Sequence, residues 1–508
     1  LSTEHWADQA ADAVLATGRP AVLSTGISPS GEIHIGNLRE VVTADAVYRT
    51  LVERGVRAGF HFVSDNFDPL RRVYPFLDAG AYRPMVGRPI SEIPCPCGEH
   101  RSYSEHFLLP FLDSLRALRI EVEVVRADEL YQSGRMTPCI LAALESRDRI
   151  AAILNDLTGK EMGPEWWPFN PLCPGCGRIT GARVTGFSAT ERTVEYACDC
   201  GSTGTVPMAG GGKLIWRIDW PARWKVLGVT VEPFGKDHAT RGGSYDTGVR
   251  IAREIFGVEP PFPIPYEWIG MKGMGDMASS KGNVLSIARA LEIVPPEVLR
   301  YLILKERPQK KITFDPGQPL LQLVDQVDDG STSNRDERAI ELSTAGGFRS
   351  VGVPFKHLIV VAQTARFDVD AVIRILGRTG YLEVDRDAVA ERLGYARRWL
   401  ESFAPEQLRF EILETLPEQA SGFSDAQRRF LGRLAERIEP GMNGEQIHNV
   451  IYDVTGELSG EAKPAELFQA VYIAILGKPR GPRAGWFLAF LGAEFVKERF
   501  RAASAGMS

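Results

Sequence analysis

The chain has 508 residues, 44% of them hydrophobic and 24% charged, with a formal net charge of −6. That is enough for about three domains, and the acidic balance excludes a general nucleic-acid binder while leaving room for local basic patches that hold a structured RNA. No apolar run reaches membrane-spanning length, Leu1–Gly18 carries Glu4, Asp8 and Asp12 where a secretory signal would be basic, and six of the seven cysteines fall in three close pairs. These features point to a cytoplasmic protein that ligates metal in a reducing compartment.

In chain order, Leu1–Gly18 is predicted to form a helix ended by Gly18 and Pro20, and Ala21–Ser24 an apolar strand. The stretch Ser28–Asn37 follows, reading Ser-Pro-Ser-Gly-Glu-Ile-His-Ile-Gly-Asn. From Ile35 onward Leu38, Val41, Val42, Ala46, Val47 and Leu51 recur at helical spacing. A tight turn therefore joins strand to helix. Gly26 and Gly31 allow close backbone approach to a ligand, and the helix N-terminus, where His34 stands, suits a phosphate. Ala58–Ser64 is a second buried strand, ending in Asp65-Asn66-Phe67-Asp68-Pro69, so the start of the chain reads as a βαβ unit. Ligands of open α/β sheets sit beyond the carboxyl ends of strands, where Gly26, Asp65 and Asp68 fall. Asp65 and Asp68 also suit a simple turn cap.

From about Pro84 to Gly212 the α/β rhythm is interrupted, and every cysteine lies in this span. Cys173-Pro-Gly-Cys176 and Cys198-Asp-Cys200 flank a polar, β-like excursion over Gly177–Ala197, the spacing of a zinc ribbon with a closed tetrahedral site. Cys95 and Cys97, followed by His100 and His106, form a second candidate zinc set, for which Glu99 and Glu105 compete. Between them Thr137–Leu157 has helical periodicity, with Cys139 read as an ordinary buried cysteine.

The sheet is expected to resume at Lys213, running through Leu214–Ile218, then Asp219–Trp224, to Val226–Val231 and the stretch Pro233–His238. Trp220 and Trp224 suit core packing, and His238 suits a surface position as well as a ligand contact. A second Gly-rich stretch, Gly270–Asn283, could bring Lys281 and two hydroxyls to the same phosphates as the first. Two such loops on one sheet suggest nucleotidyl transfer. Leu285–Val294 and Glu297–Lys305 read as helices separated by Pro295-Pro296, Lys305–Lys311 is a basic patch, and Asp328–Arg338 is linker-like. From Val353 the chain reads all-helical: Ser424 with Gln427 makes a capping box, and Pro464 and Gly477 bracket a helix. No repeat of fixed period is present.

Taken together, Ser28–Asn37, Asp219–Trp224, Phe234–His238, Met277–Asn283 and Gly477–Leu488 resemble the class I lysyl-tRNA synthetases, the archaeal type also found in some bacteria, over essentially the whole chain. The resemblance implies an α/β fold. A Rossmann-type catalytic domain over 1–270 would be interrupted by a zinc-binding insertion at 84–212. A signature loop and helical connecting domain (271–340) and an all-helical anticodon-binding domain, an α-helix cage (341–508), would follow.

The resemblance further implies ATP contacts from Pro29, Gly31, His34, Gly36, Asn37, Ser279, Ser280 and Lys281. Of these, His34, Asn37 and Lys281 would be catalytic, stabilising charge as lysine's carboxylate attacks the α-phosphorus, with magnesium bridging phosphate oxygens. Gly26, Ser28, Trp220, His238 and Tyr266 match amino-acid-pocket positions. Asp65 and Trp220 are the expected partners of lysine's ammonium. Arg480, Arg483 and Trp486 are expected tRNA contacts. The implied partners are L-lysine, ATP and tRNA-Lys, with no membrane, for a monomer holding one or two structural zinc ions.

The second signature departs from the family's pattern, with Asp276 and Ala278 where a lysine and a serine are usual. A catalytically inactive tRNA-binding paralogue therefore stands as the alternative. A small-molecule adenylyltransferase would have no use for the helical residues downstream.

Overall fold

Seven residues that read apolar and β-prone need a partner on each side, and the computed structural model, which describes residues 4–505 apart from 274, 277–284, 329–333, 346 and 348, supplies both. Helix α1 (Trp6–Ala16) leads into strand β1 (Ala21–Ile27), helix α2 (Ile35–Glu53) and strand β2 (Ala58–Ser64). β1 and β2 pair in parallel with Gly26 opposite Val63. Parallel neighbours require a crossover, and α2 provides it with its apolar stripe, Leu38, Val41, Val42, Ala46 and Leu51, fully buried. Helix α3 (Tyr103–Ala117) and strand β3 (Glu123–Arg126) extend the sheet on one side. On the other, helix α4 (Trp216–Leu227), strand β4 (Val231–Gly235), helix α5 (Ser244–Glu254) and strand β5 (Phe262–Tyr266) complete the order β5-β4-β1-β2-β3, every pair parallel. The order thus reverses between β1 and β4, which opens a crevice at their carboxyl ends.

The expected strand through Leu214–Ile218 is corrected: pairing ends at Leu214, opposite Phe169, and α4 begins at Trp216. That helix is buried on nearly all sides, so it shows no amphipathic period, and its polar residues Asp219 and Arg223 satisfy each other one turn apart. Val226 and Leu227 close the helix rather than open a strand, because Gly228 adopts φ +67° and turns the chain into β4. Thr137–Leu157 is two helices, Thr137–Glu145 and Arg147–Thr158, parted where Ser146 leaves helical geometry. The excursion between the paired cysteines is β as expected, an antiparallel sheet of Ala182–Ser188, Thr193–Cys198 and Thr203–Pro207. Of the linker-like run, residues 334–338 belong to the helix Asn334–Thr344.

By the density of internal contacts the chain parts into two units, Leu1–Leu291 with Leu299–Phe314 and Thr332–Gly346, and Glu292–Val298 with Asp315–Ser331 and Gly347–Ser508. The second is helical. Its core gathers Phe430, Leu434, Ile451, Val471, Phe487 and Phe500. The capping box at Ser424 and Gln427 is present, and Gly477 ends the helix Pro464–Leu476 at φ +66°. Buried Arg392 pairs with Glu297 at 3.0 Å and Asp328 at 2.6 Å. No helix among the described residues is long and apolar enough to cross a membrane.

In the first unit two arginines lie wholly inside. Arg300 pairs with Asp45 at 2.7 Å. Arg39, on α2, donates through Nη2 to the carbonyls of Arg307, Pro308 and Lys310 at 2.8–2.9 Å. It thereby satisfies a non-repetitive segment that could not otherwise be buried. Arg39→Met should therefore lower the stability read from urea unfolding by about 2–4 kcal/mol, from lost charge-assisted bonds and orphaned carbonyls. Arg39→Lys keeps the charge and has donors enough, but its shorter side chain stops short of the Nη2 position, so it should recover only part of that loss, and a Met variant as stable as the parent would contradict this role.

Candidate active site

The crevice at the β1/β4 reversal holds a cavity of about 370 Å³. Gly26 and Ser28 reach it from the end of β1, Asp65 from the end of β2, Glu40 from α2, Trp216, Trp220 and Arg223 from α4, and Glu232, Phe234 and His238 from β4 and the turn after it. At position 26 an added Cβ would lie in ordinary contact with the Val63 carbonyl oxygen, 3.4 Å away on β2.

Two aromatic and acidic walls face each other. Trp216 and Trp220 stack at 5.2 Å with 15° between planes, and the His238 ring stands 5.4 Å from Trp220 and 5.9 Å from Trp216. Burial lowers the His238 pKa, with Asp237 opposing. On the acidic side Glu40 accepts from the Gly26 N–H at 2.8 Å and from the Tyr266 hydroxyl at 2.7 Å. Burial nevertheless pushes Glu40 up to about 7. Glu232 accepts from the Trp224 indole, and burial pushes it up to about 8. Neither glutamate makes an ion pair among the described residues. Both are carboxyl groups whose ionisation burial opposes and a neighbouring cation would favour.

Asp65 is differently placed. Its Oδ1 accepts from Lys213 Nζ at 2.5 Å and from Arg223 at 2.8 Å. Arg223 also pairs with Asp219, whose other oxygen accepts from Tyr131 at 2.6 Å, and Lys213 reaches Asp68 as well. Although burial opposes ionisation, Arg223 and Lys213 hold Asp65 well below the usual carboxylate range, while burial and Asp65 push Asp68 up. Asp65 lines the cavity with its charge already matched. The sequence reading overlooked Glu40 and Glu232. The available signals were one acid inside the apolar strand Val231–Gly235 and one among the core positions of α2.

Beside this cavity, the turn Ser28–Asn37 is fixed by its own residues. His34 caps α2, its Nδ1 accepting from Gly36 N–H at 3.1 Å, while Asn37 Oδ1 accepts from the His34 N–H at 3.2 Å. Burial takes His34 down to about 4, so the ring is neutral near pH 7 and its proton sits on Nε2. Gly36 is required there, because a Cβ would lie 2.7 Å from the His34 ring. Pro29 and Gly31 are buried in the same turn. Ile35 N–H donates to the Leu285 carbonyl and Ile287 N–H to the Ile33 carbonyl, both at 3.2 Å. The chain leaving the second Gly-rich stretch is thus stitched to the first. Ser279, Ser280 and Lys281 lie outside the described residues, and of the departures from pattern Asp276 is described only as backbone in the short strand Gly275–Asp276.

Two donor clusters lie in the first unit. Cys173 and Cys200 sulfurs are 3.6 Å apart and those of Cys176 and Cys198 3.8 Å. Cys95 Sγ lies 3.2 Å from Cys97, 3.3 Å from His100 Nδ1 and 3.5 Å from His106 Nδ1. Each set falls within 4.8 Å. Ligands about 2.0–2.3 Å from a tetrahedral zinc stand roughly 3.3–3.8 Å from one another, so both donor sets fit. Cys139 is buried and apart, as expected. In the helical unit the Arg483 guanidinium lies 4.0 Å over the Trp486 ring, and both line a cavity of about 560 Å³ with Lys356, His357 and Phe410. Arg480 is exposed on the same loop.

The family model described as "tRNA synthetases class I (K)" matches residues 4–343. A lysine–tRNA ligase of Methanosarcina barkeri is 51% identical over 99% of this chain and 98% of its own length. That of Archaeoglobus fulgidus is 50% identical over 98% of this chain and 100% of its own, and that of Thermoplasma acidophilum 40% identical over 95% and 96%. With the signature turn, the reversed parallel sheet and relatives matched along nearly their whole length, the chain belongs to the class I lysyl-tRNA synthetases.

Proposed function

We propose that this chain activates L-lysine with ATP and transfers the lysyl group to the 3′-terminal adenosine of tRNA-Lys, on its 2′-hydroxyl by analogy with class I enzymes. The observation that carries the reading is the acidic, aromatic cavity beside the His34 turn. A cationic side chain of lysine's size meets two unpaired carboxyls there, Glu40 held by Gly26 and Tyr266, and Glu232 held by Trp224. Trp220 and Trp216 cover the aliphatic stem, and Gly26, Ser28 and His238 border the same space. Glu40 and Glu232 take the part first expected of Asp65, which instead keeps the wall rigid.

Activation joins lysine's carboxylate oxygen to the α-phosphorus and releases pyrophosphate; transfer then joins the carbonyl carbon to the ribose hydroxyl and releases AMP. The His34 Nε2–H and the amides of the turn donate to phosphate oxygens as negative charge builds, and the family resemblance adds Lys281, Ser279 and Ser280 as further phosphate contacts. Magnesium supplies charge neutralisation on the polyphosphate. Residues 1–270 act as the Rossmann-type catalytic domain, with 84–212 as its zinc-binding insertion and 271–340 as the connection. Residues 341–508 form the helix cage for the anticodon, where Arg480, Arg483 and Trp486 offer phosphate and stacking contacts. One chain carries both parts, so the reading needs no second subunit, and its substrates are those of the cytoplasm.

Zinc would be held by Cys173, Cys176, Cys198 and Cys200, and by Cys95, Cys97, His100 and His106. Four protein donors apiece leave no open position, so each ion would be structural. Freshly purified protein should contain two zinc atoms per chain. Cys176→Ala should remove one and lower the melting temperature, since ligation is coupled to folding. Less than one zinc per chain would refute both assignments.

Lysine-dependent ATP–pyrophosphate exchange is the direct test, and its absence in a protein that still binds tRNA would favour the inactive paralogue. The pH dependence adds a sharper one. Glu40 in the free protein loses its proton near pH 7, whereas lysine's ammonium stays charged to about pH 10. Binding with Glu40 ionised must therefore expel its proton at pH 6 and almost none at pH 8, and Glu232, held up to about 8, gives up a further proton across the same interval. Lysine KM should fall at least about tenfold between pH 6 and pH 8. Glu40→Gln should raise lysine KM on the order of 10²-fold and flatten the profile, with ATP KM little changed.

A further inference from the structure

The Cys95, Cys97, His100 and His106 cluster lies far from the zinc ribbon in sequence and close to the signature turn in space. Helix α3 begins at Tyr103, and His106 stands one turn along it. Tyr103 is fully buried and donates its hydroxyl to the carbonyl of Ser30 at 2.8 Å, inside the turn that carries His34. A cavity of about 200 Å³ separates His100 and His106 from Glu32 and Ile33 of that turn and extends to Ser286, next to the residues that stitch the two Gly-rich stretches together. Cys95 is buried and the Tyr103 N–H donates to the Ile93 carbonyl at 2.9 Å, which ties the two ends of this loop, but Cys97 is exposed and His100 and His106 half-exposed, so its outer part has little apolar cover. The four donor atoms gather that outer part onto the start of α3.

We propose that the metal centre formed by Cys95, Cys97, His100 and His106 is a tether for the nucleotide-binding turn: by clamping the first turn of α3, it holds Tyr103 against Ser30 and so sets the affinity for ATP. The tether rests on the reading of Ser28–Asn37 as the ATP turn. Tyr103 acts as a positioning residue, through the backbone of Ser30 rather than on the reacting atoms. Loss of the metal would free the start of α3, leave the Ser30 carbonyl without its donor and let the turn relax. The lysine cavity, built from β1, β4 and α4, would keep its shape.

Two variants of the full chain test this. Cys97→Ala should lower the zinc content from two atoms to one and weaken ATP binding about tenfold in equilibrium dialysis, the loss expected when one buried hydrogen bond and its alignment go. Lysine KM in the exchange assay should stay within roughly twofold. Tyr103→Phe should retain both zinc atoms and still weaken ATP binding, by about three- to tenfold, separating the tether from any general damage done by metal loss. The proposal is overturned if Cys97→Ala keeps two zincs, if either variant leaves ATP affinity within roughly twofold of the parent, or if lysine KM rises in step with that for ATP. Dialysis with ATP alone reads the tether whether or not the wild-type protein catalyses lysine-dependent exchange. A wild type that binds ATP without exchange would therefore sink the ligase reading and leave this one standing.

Discussion

The buried charges around Asp65 are the constraint on which the rest of the site depends. Asp65 comes from the end of β2, Lys213 from the strand by which the insertion returns, and Asp219 and Arg223 from α4, with Tyr131 closing the set. Removing any one of the four charges would leave its partners short of a countercharge inside, which costs about 3–5 kcal/mol. Together with the core packing of Ile218, Ala222, Trp224 and Leu227, these pairs hold α4 so that Trp216 and Trp220 stand in the crevice.

The same electrostatics divides the acids of the cavity by task. Asp65 is ionised and matched from within, and it gives stiffness. Glu40 and Glu232 receive hydrogen bonds from Gly26, Tyr266 and Trp224 but no cation, and burial holds both near neutrality in the free protein. In the proposed site a bound ammonium would restore what their burial removed. Lysine would then be preferred over a neutral side chain of equal length, because only a cation gains from ionising those carboxyls.

The two candidate donor sets lie at the margins of the core. The ribbon strands turn Val184, Val194, Tyr196 and Val206 into the core and leave alternate residues exposed, and Cys173, Cys176, Cys198 and Cys200 gather their ends. Around α3 the second donor set adjoins the small core of Tyr82, Tyr103 and Phe107. A metal bound at either set would add a few strong, directional contacts where apolar area is small.

Much of this was legible in the residues. The period of α2, the place of His34 at its start, the cysteine spacings and the Pro464 and Gly477 bracket are local: each depends on residues within a turn or two, where chain geometry fixes who meets whom. The family resemblance rested on such stretches. What sequence alone could not determine was anything decided by burial from all sides or by partners far along the chain. Asp65 follows the end of β2 and Glu40 lies in the second turn of α2, and only the fold brings Lys213 and Arg223 to one and leaves the other with Tyr266. The helical state of Trp216–Leu227, invisible to periodicity, was likewise settled by the core around it. The sequence determined the locally patterned elements, the turn and the paired donor residues; the tertiary structure decided the state of Trp216–Leu227 and which charges are spent and which are free, because desolvation depends on what surrounds a group and not on what precedes it.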